Sequence, residues 1–525
     1  VVELLLTARS YGGAGGLGAE LGHVGLFPDG ELCGCGKKGC LEAYASATGI
    51  INMAKRRLKS SEHKKGSSEL KKVDESEINA KLIFDLARSG DKLATEILKE
   101  AGEALGMGIG TLLNIFNPQK VILAGRMSQS FDLIRSHIQA GYKKRAFESI
   151  AKTVSIEPST LRTNAGLIGA AAVFAYEHGF TVKTALHCQI PQPYTIAAIN
   201  VGASGMRVAI VDIREGCRAF KIIHQKHISG EQPNEEAIFQ EIKEGFQEVL
   251  SKSSKKFSDL KGFAVTSPGP IDRKRKRVLN TPNMNWSYVT VDEKLYRKIE
   301  KPDNLEIPLY LERDAIGIAL AEQYFGHGHD LKNFAAMYIG TGIGAGFVIN
   351  GEIYHGVHDH AGEFGHGIID RHSKHQCRCR NFGCLECYAS GTSLIRRCQH
   401  AMKNGEPSIL SGLGTDFYYN DVWRAAKKGD TVATNAFKEM GMALGIGLSN
   451  LINYLDLEKV IISGPLSRSK DYFMNDVRKL ASQNIMIIEG TEDWCKENIV
   501  TTELQEADIE IGGSVAGYIN QHMGR

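Results

Sequence analysis

Gly362-Glu363-Phe364-Gly365-His366, followed by Cys377-Arg378-Cys379 and Gly383-Cys384-Leu385-Glu386, is the stretch from which the rest of the chain is read. One imidazole and three thiolates suit a tetrahedral Zn²⁺ with no open position, which is a structural rather than a hydrolytic site. The pattern has an earlier twin in His23, Cys33, Cys35 and Cys40, with one residue fewer in the first gap. The histidines stand 343 residues apart and the last cysteines 344. Ala104–Gly108 and Val121–Gly125 return 339 residues on as Ala443–Gly447 and Val460–Gly464. A period near 340 is a duplicated domain, not a solenoid. Thiols clustered this way point to metal rather than to a disulfide framework. The other five cysteines, Cys188, Cys217, Cys387, Cys398 and Cys495, read as ordinary core or surface residues.

Nothing ahead of the first pattern corresponds to residues 194–360. The expected organisation is 1–182 as the C-terminal lobe of a truncated first repeat and 183–193 as a linker carrying two prolines. The second repeat then has an N-terminal lobe at 194–314 and a C-terminal lobe at 315–525. Val at position 1 fits this division, with about 150 to 170 residues of the first repeat expected upstream. On length alone, 525 residues at roughly 150 per domain would suggest three or four units.

Charge excludes some roles. The 63 basic and 60 acidic residues leave a net +3, so there is no general field for a polyanion. No apolar run approaches the roughly 18 to 20 residues of a membrane span, and no secretory leader opens the chain. A soluble, cytoplasmic protein without nucleic-acid or membrane partners is expected. The basic run Arg273–Arg277 and the lysines between Lys55 and Lys72 read as solvated turns and faces.

The second repeat opens with β-like runs, Thr195–Asn200 and Val208–Val211, around a small-residue turn. A helix is expected over Glu235–Leu250, a strand at Phe263–Thr266, strands at Ala335–Ile339 and Ala345–Ile349, and a long helix over Ala433–Leu455 before Val460–Ser463. Strands alternating with helices give α/β layers. Gly202, Ser204 and Gly205, and the run Gly340-Thr341-Gly342-Ile343-Gly344, are turns that let backbone N–H groups approach phosphate oxygens. Together they favour a nucleotide cleft. Asp314 follows a strand and begins a helical run to Tyr324, the place of a simple cap or of a functional carboxylate. Zinc would hold Glu20 and Glu42, and likewise Glu363 and Glu386, near one point, which suits a polyhydroxylated ligand.

These motifs, with Ser267-Pro268-Gly269-Pro270-Ile271-Asp272 and Pro282-Asn283, resemble the ROK (repressor, open reading frame, kinase) family of sugar kinases and sugar-responsive repressors. The second repeat resembles it along nearly its whole length and the first only over the distal half. The resemblance implies an actin-like (RNase H-like) ATPase fold with two α/β lobes per complete repeat, using ATP, Mg²⁺ and one structural Zn²⁺ per repeat. It implies Asp314 as general base. Asn283, Glu363, His366 and Glu386 become sugar contacts, as do Glu20, His23 and Glu42 in the first repeat. Gly202, Ser204, Gly205, Thr341, Gly342 and Gly464 fall on the nucleotide side, with Gly125 in the first repeat. Arg313 stands on the substrate side where the family usually has Asn, Asn200 where it usually has Asp, and Ala203-Ser204 where it has Gly-Thr.

The implied reaction is transfer of the γ-phosphoryl group of ATP to a hexose hydroxyl, that on C6, with glucose as the leading substrate and N-acetylmannosamine next. An impaired sugar-binding or regulatory protein is the alternative, given Arg313, Asn200 and Ala203. A repressor would need a helix-turn-helix, and none precedes the second repeat. Either a homo-oligomer or intramolecular pairing of the two repeats is expected.

Overall fold

The structure is a computed structural model. It describes residues 4–6, 9–11, 20–27, 30–59, 68–123, 130–158, 194–202, 205–213, 220–229, 235–281, 286–302, 305–486 and 490–522. Two compact units account for the chain. The first gathers Val1–Val182, Glu363–Asp456 and Asp471–Lys496, and the second Lys183–Gly362, Leu457–Lys470 and Glu497–Arg525. The stretch 315–525 is therefore divided, and most of its later part clusters with the first repeat.

In the first unit, β1 (Leu4–Leu6) and β2 (Arg9–Tyr11) form an antiparallel pair, and β3 (Lys120–Leu123) and β4 (Ser155–Pro158) a parallel one. Its framework is a pair of equivalent 25-residue helices, Lys92–Phe116 and Thr431–Leu455. Asp91 caps the first by accepting from Ala94 N at 3.0 Å, and Asp430 caps the second from Ala433 N at 2.9 Å. Each such cap stabilises its helix by about 1 kcal/mol. Both helices end on a left-handed residue, Asn117 (φ 44°) and Asp456 (φ 43°). Gly108 and Gly447 let the residue after the last cysteine of each zinc motif seat itself. A Cβ there would lie 2.6 Å from Leu41 Cδ2 and 2.8 Å from Leu385 Cδ2. The repeats also meet directly: the Phe116 and Tyr454 rings are edge to face at 6.2 Å, and both are buried.

The second unit contains two five-stranded sheets of one topology. In the first, β5 (Tyr194–Gly202), β6 (Gly205–Ile213) and β7 (Phe220–Ser229) form an antiparallel meander, and β8 (Leu260–Ser267) pairs parallel with β5. A three-stranded sheet branches off as β9 (Ile271–Asp272), β10 (Arg277–Thr281) and β11 (Trp286–Thr290). The first large sheet closes with β12 (Leu309–Arg313), giving the order β12-β8-β5-β6-β7. The second consists of β13 (Phe334–Ile339), β14 (Ile343–Ile349), β15 (Glu352–Tyr354), β16 (Lys459–Ser463) and β17 (Ile499–Thr501) in the order β15-β14-β13-β16-β17. Helices Asp314–Phe325 and Glu506–His522 share one core with both sheets: Ile196, Val211, Ile316, Leu320, Phe334, Val348, Ile461 and Val515 are all buried. Burying each such side chain stabilises the unit by about 1.5 to 3 kcal/mol. The two helices approach so closely that a Cβ on Gly513 would lie 2.6 Å from the Gly317 carbonyl oxygen. This duplicated α/β arrangement is the actin-like, RNase H-like ATPase fold. Among the described residues no helix is long and apolar enough to cross a membrane.

Candidate active site

In the second unit, β12 delivers Asp314 to the first turn of helix Asp314–Phe325, where its Oδ1 accepts from Ala315 N at 2.7 Å. A carboxylate there faces the positive end of the helix. That helix lies tight on β14, since a Cβ on Gly346 would be 2.7 Å from the Ala315 carbonyl oxygen and 2.6 Å from Ala319 Cβ. The turn joining β13 to β14 is Gly340–Gly342, closed by Gly340 N donating to Gly342 O at 3.0 Å. Gly464 ends β16 at φ +90°, and a Cβ on it would meet the Ile339 carbonyl oxygen at 2.6 Å. Only glycine brings that strand end so close to the neighbouring turn.

Beyond Gly464 lies a cavity of about 200 Å³ lined by Tyr338, Gly464, Ser467, Arg468, Lys470 and Thr501, among others. Arg468, Lys470 and a glycine turn offer donors to an anionic ligand there, while Glu503 and Glu510 line the same cavity and Glu510 is paired with Arg207 at 2.7 Å. The β5–β6 hairpin turns between Gly202 and Gly205, which pair with each other. Just before it, Asn200 Nδ2 donates to Thr266 Oγ1 at 3.0 Å, and Thr266 Oγ1 lies 3.0 Å from Ser514 Oγ.

The zinc motifs occupy the first unit as two equivalent knuckles. His23 Nδ1 lies 3.6 Å from Cys33 Sγ, and Cys35 and Cys40 sulfurs are 3.7 Å apart. The corresponding distances in the second are 3.5 Å, His366 to Cys377, and 3.6 Å, Cys379 to Cys384. In each set the four donor atoms lie within 4.8 Å of one another. Bonds of about 2.1 to 2.3 Å to a central Zn²⁺ place tetrahedral donors roughly 3.5 to 3.8 Å apart, so both sets fit the ion. The knuckles need their glycines: a Cβ would lie 1.9 Å from the Phe27 carbonyl oxygen at Gly39, and 1.8 Å from that of Asp370 at Gly383.

With Nδ1 turned to the thiols, each imidazole offers Nε2 to carboxylates. His23 Nε2 lies 3.8 Å from both Glu20 and Glu42, and His366 Nε2 lies 4.0 Å from Glu363. Glu386 reaches Cys377 at 3.8 Å, as Glu42 reaches Cys33 at 3.7 Å. Two carboxylate–imidazole groups, each braced by a metal knuckle, therefore sit in this unit. Carboxylates and an imidazole of this kind can accept from and donate to hydroxyl groups.

Two segments, residues 4–177 and 196–512, match the family model described as the ROK family. The chain belongs to the ROK family. It is similar to the glucokinase of Halalkalibacterium halodurans, at 29% identity over 286 residues, covering 54% of this chain and 83% of that one. It is also similar to the xylose repressor of Bacillus subtilis, at 32% identity over 226 residues, covering 43% of this chain and 54% of the repressor. Among solved structures, the ROK family glucokinase from Streptomyces griseus in complex with glucose and AMPPNP aligns with a TM-score of 0.52 and 25% identity. That alignment covers 61% of this chain and 98% of the glucokinase.

Of the site residues expected from the sequence, Asp314, Gly202, Gly205, Thr341, Gly342 and Gly464 fall in the second unit of this ROK chain. Glu20, His23, Glu42, Glu363, His366, Glu386 and the six cysteines fall in the first. Asn283, Ser204, Ala203 and Gly125 lie outside the described residues, as do Cys188, Cys217 and the join at 189–193. Cys387, Cys398 and Cys495 are buried. Arg313, expected on the substrate side, is 3% exposed. Its Nη2 donates to the Ala361 carbonyl, and its Cδ lies 2.5 Å from where a Cβ on Gly269 would stand.

Sequence reasoning missed a charged cluster beside Asp314. Glu312 is fully buried, with its Oε2 2.8 Å from His355 Nε2 and accepting from Tyr310 Oη at 3.1 Å. Its Oε1 accepts from Arg313 N at 2.8 Å. Burial works to raise the Glu312 pKa, but His355, Arg273 and the Arg313 amide hold it down to about 2. Arg273, read as part of a solvated turn, points inward to Asp359 at 2.7 Å and stands 3.8 Å from Glu312. The turn itself is a hairpin, and Arg275 on it is exposed as expected. The available signal was a carboxylate at an inward position of a strand whose every other side chain is enclosed.

Proposed function

We propose that this chain phosphorylates a hexose at a hydroxyl, that on C6, with ATP as donor and glucose as the first candidate substrate. The observation that carries the reading is Asp314. It stands at the start of a helix packed on β14, in the unit that also holds the Gly202–Gly205 and Gly340–Gly342 turns and the glycine-backed cavity at Gly464. The similarity to glucokinases supports it.

In this reading Asp314 accepts the proton of the attacking hydroxyl, and the backbone amides of the glycine turns, with Arg468 and Lys470, orient the phosphates. Mg²⁺, when bound with ATP, supplies charge neutralisation on the transferring group. Glu363, His366 and Glu386 hold the sugar hydroxyls. Zn²⁺ would be held by His366, Cys377, Cys379 and Cys384, and by His23, Cys33, Cys35 and Cys40, where its contribution is rigidity. N-acetylmannosamine is the second substrate to test.

The test is ADP release by the full chain over a panel of hexoses. Asp314→Asn is expected to lower kcat by roughly 10² to 10⁴ with little change in the KM for sugar. Sugar-dependent turnover that survives this substitution would remove Asp314 from its role. One observation favours a second reading, a sugar-binding regulator: Asn200, where a carboxylate would help hold hydrated Mg²⁺, is an amide bonded to Thr266. The similarity to the xylose repressor agrees with it. Calorimetric sugar binding without any ADP release would establish that reading instead.

A further inference from the structure

The contacts that join the two repeats inside the first unit are nearly symmetric, and the departures from symmetry run one way. Lys37 lies between Cys35 and Cys40, and its counterpart Asn381 between Cys379 and Cys384. Each reaches the same backbone segment of the other repeat: Lys37 Nζ donates to Ile485 O at 2.8 Å, and Asn381 Nδ2 to Arg145 O at 2.7 Å. Those receiving segments are held alike. Asn114 donates to Arg145 O at 3.0 Å and accepts from Phe147 N at 2.9 Å, while Asn453 donates to Asn484 O and accepts from Met486 N, both at 3.0 Å.

The side chains on the segments differ. Repeat one has Arg145 and Phe147 where repeat two has Asn484 and Met486. Arg145 is 9% exposed, and its Nη1 donates to Phe382 O at 2.7 Å, inside the loop between Cys379 and Cys384. Phe147 sets its ring edge-on to the His366 imidazole, with centroids 5.1 Å apart and planes at 82°. A Zn²⁺ bound by three thiolates and a neutral imidazole carries a net charge of about −1, which a half-buried loop tolerates best beside a cation. Repeat one places a cation at both knuckles: Lys37 stands beside Cys35 and Cys40, and Arg145 beside Cys384, where it adds a buried charge to Arg378 and Arg380 of the second motif itself.

We infer that Arg145 and Phe147 of repeat one are positioning residues for the sugar-binding group of repeat two. Arg145 tethers and charge-balances the Cys379–Cys384 loop, and Phe147 fixes the plane of the His366 ring. Repeat two therefore depends on repeat one for the geometry of its own ligand set. This rests on the reading of Glu363, His366 and Glu386 as sugar contacts.

The test replaces the segment of repeat one by the residues that repeat two already carries at the equivalent places, Arg145→Asn and Phe147→Met, in the full chain. Zinc transfer to a metallochromic chelator and glucose-dependent ADP release are both measured. Arg145→Asn is expected to speed release of one of the two zinc ions, whereas Lys37→Asn speeds release of the other. Phe147→Met is expected to raise the KM for glucose roughly three- to tenfold, the effect of losing one ring contact, with kcat and the KM for ATP unchanged. Wild-type zinc release in Arg145→Asn together with a wild-type glucose KM in Phe147→Met would overturn the inference. If the wild-type chain shows no sugar-dependent ADP release, the kinase reading fails. Zinc release and calorimetric glucose binding then still decide whether Arg145 and Phe147 act on repeat two.

Discussion

Glu312 and His355 form an enclosed pair, Oε2 to Nε2 at 2.8 Å, two residues from Asp314 along the chain. The Glu312 pKa is held near 2 against an ordinary value of 4.5, so the pair stabilises the fold above about pH 4.5 and loses that contribution as pH falls through 2. The size is about 3 kcal/mol, taking 1.4 kcal/mol per pH unit. Glu312→Gln should therefore melt well below wild type at pH 7, and the gap should close between pH 4.5 and 2. A gap that stays constant over that range would mean the charge is not what stabilises the site.

Each zinc knuckle should be separable from the other. Cys40→Ser and Cys384→Ser are each expected to lower the metal content from two zinc ions per chain to one, since the two donor sets share no residue. Only Cys384→Ser should abolish sugar-dependent ADP release. Elemental analysis alongside the coupled assay reads both outcomes, and equal loss of activity in the two variants would contradict the assignment of Glu363, His366 and Glu386 to the active half.

Restoring a carboxylate at position 200 should help rather than harm. In Asn200→Asp the Thr266 hydroxyl can turn its one proton from Ser514 Oγ to the new carboxylate, so position 200 keeps a hydrogen bond with its direction reversed. An added negative charge there is expected to lower the Mg²⁺ concentration needed for half-maximal ADP release by several-fold. An unchanged Mg²⁺ requirement would place the ion elsewhere.

Gly464→Ala should act on the nucleotide alone. At φ +90° a Cβ is strained by about 1 to 2 kcal/mol, and here it would also press on the Ile339 carbonyl from 2.6 Å. The expected result is a raised KM for ATP with the sugar KM held, measured by varying each substrate in turn. A raised sugar KM at constant ATP KM would count against the cavity as the nucleotide side.

Most of the fold was legible because its elements obey simple periodicity. The expected helix at 235–250 is Glu235–Lys252, and the strand expected at 263–266 is Leu260–Ser267. The knuckles were legible because three thiols and a histidine at short spacing admit few alternatives, and because the pattern occurs twice. What stayed hidden depends on partners far away in sequence. Nothing local distinguishes Arg273 from its solvated neighbours, since its bond to Asp359 spans 86 residues. Nothing near Arg313 in sequence shows that its Nη2 donates to the Ala361 carbonyl, since that partner is 48 residues on. The pairing of the repeats was foreseen as a possibility, but its chemistry lies in Arg145 and Phe147, which belong to no motif.

The placement of Lys37 and Arg145 in one repeat, opposite Asn484 and Asn381 in the other, also bears on who can pair with whom. Two chains bearing only the first kind of repeat, joined through this face, would bring the lysine of each toward the arginine of the other. Two bearing only the second kind would meet amide to amide across this face. The unlike combination sets each cation against an amide instead, so like charge on this face weighs against two repeats of the first kind meeting one another.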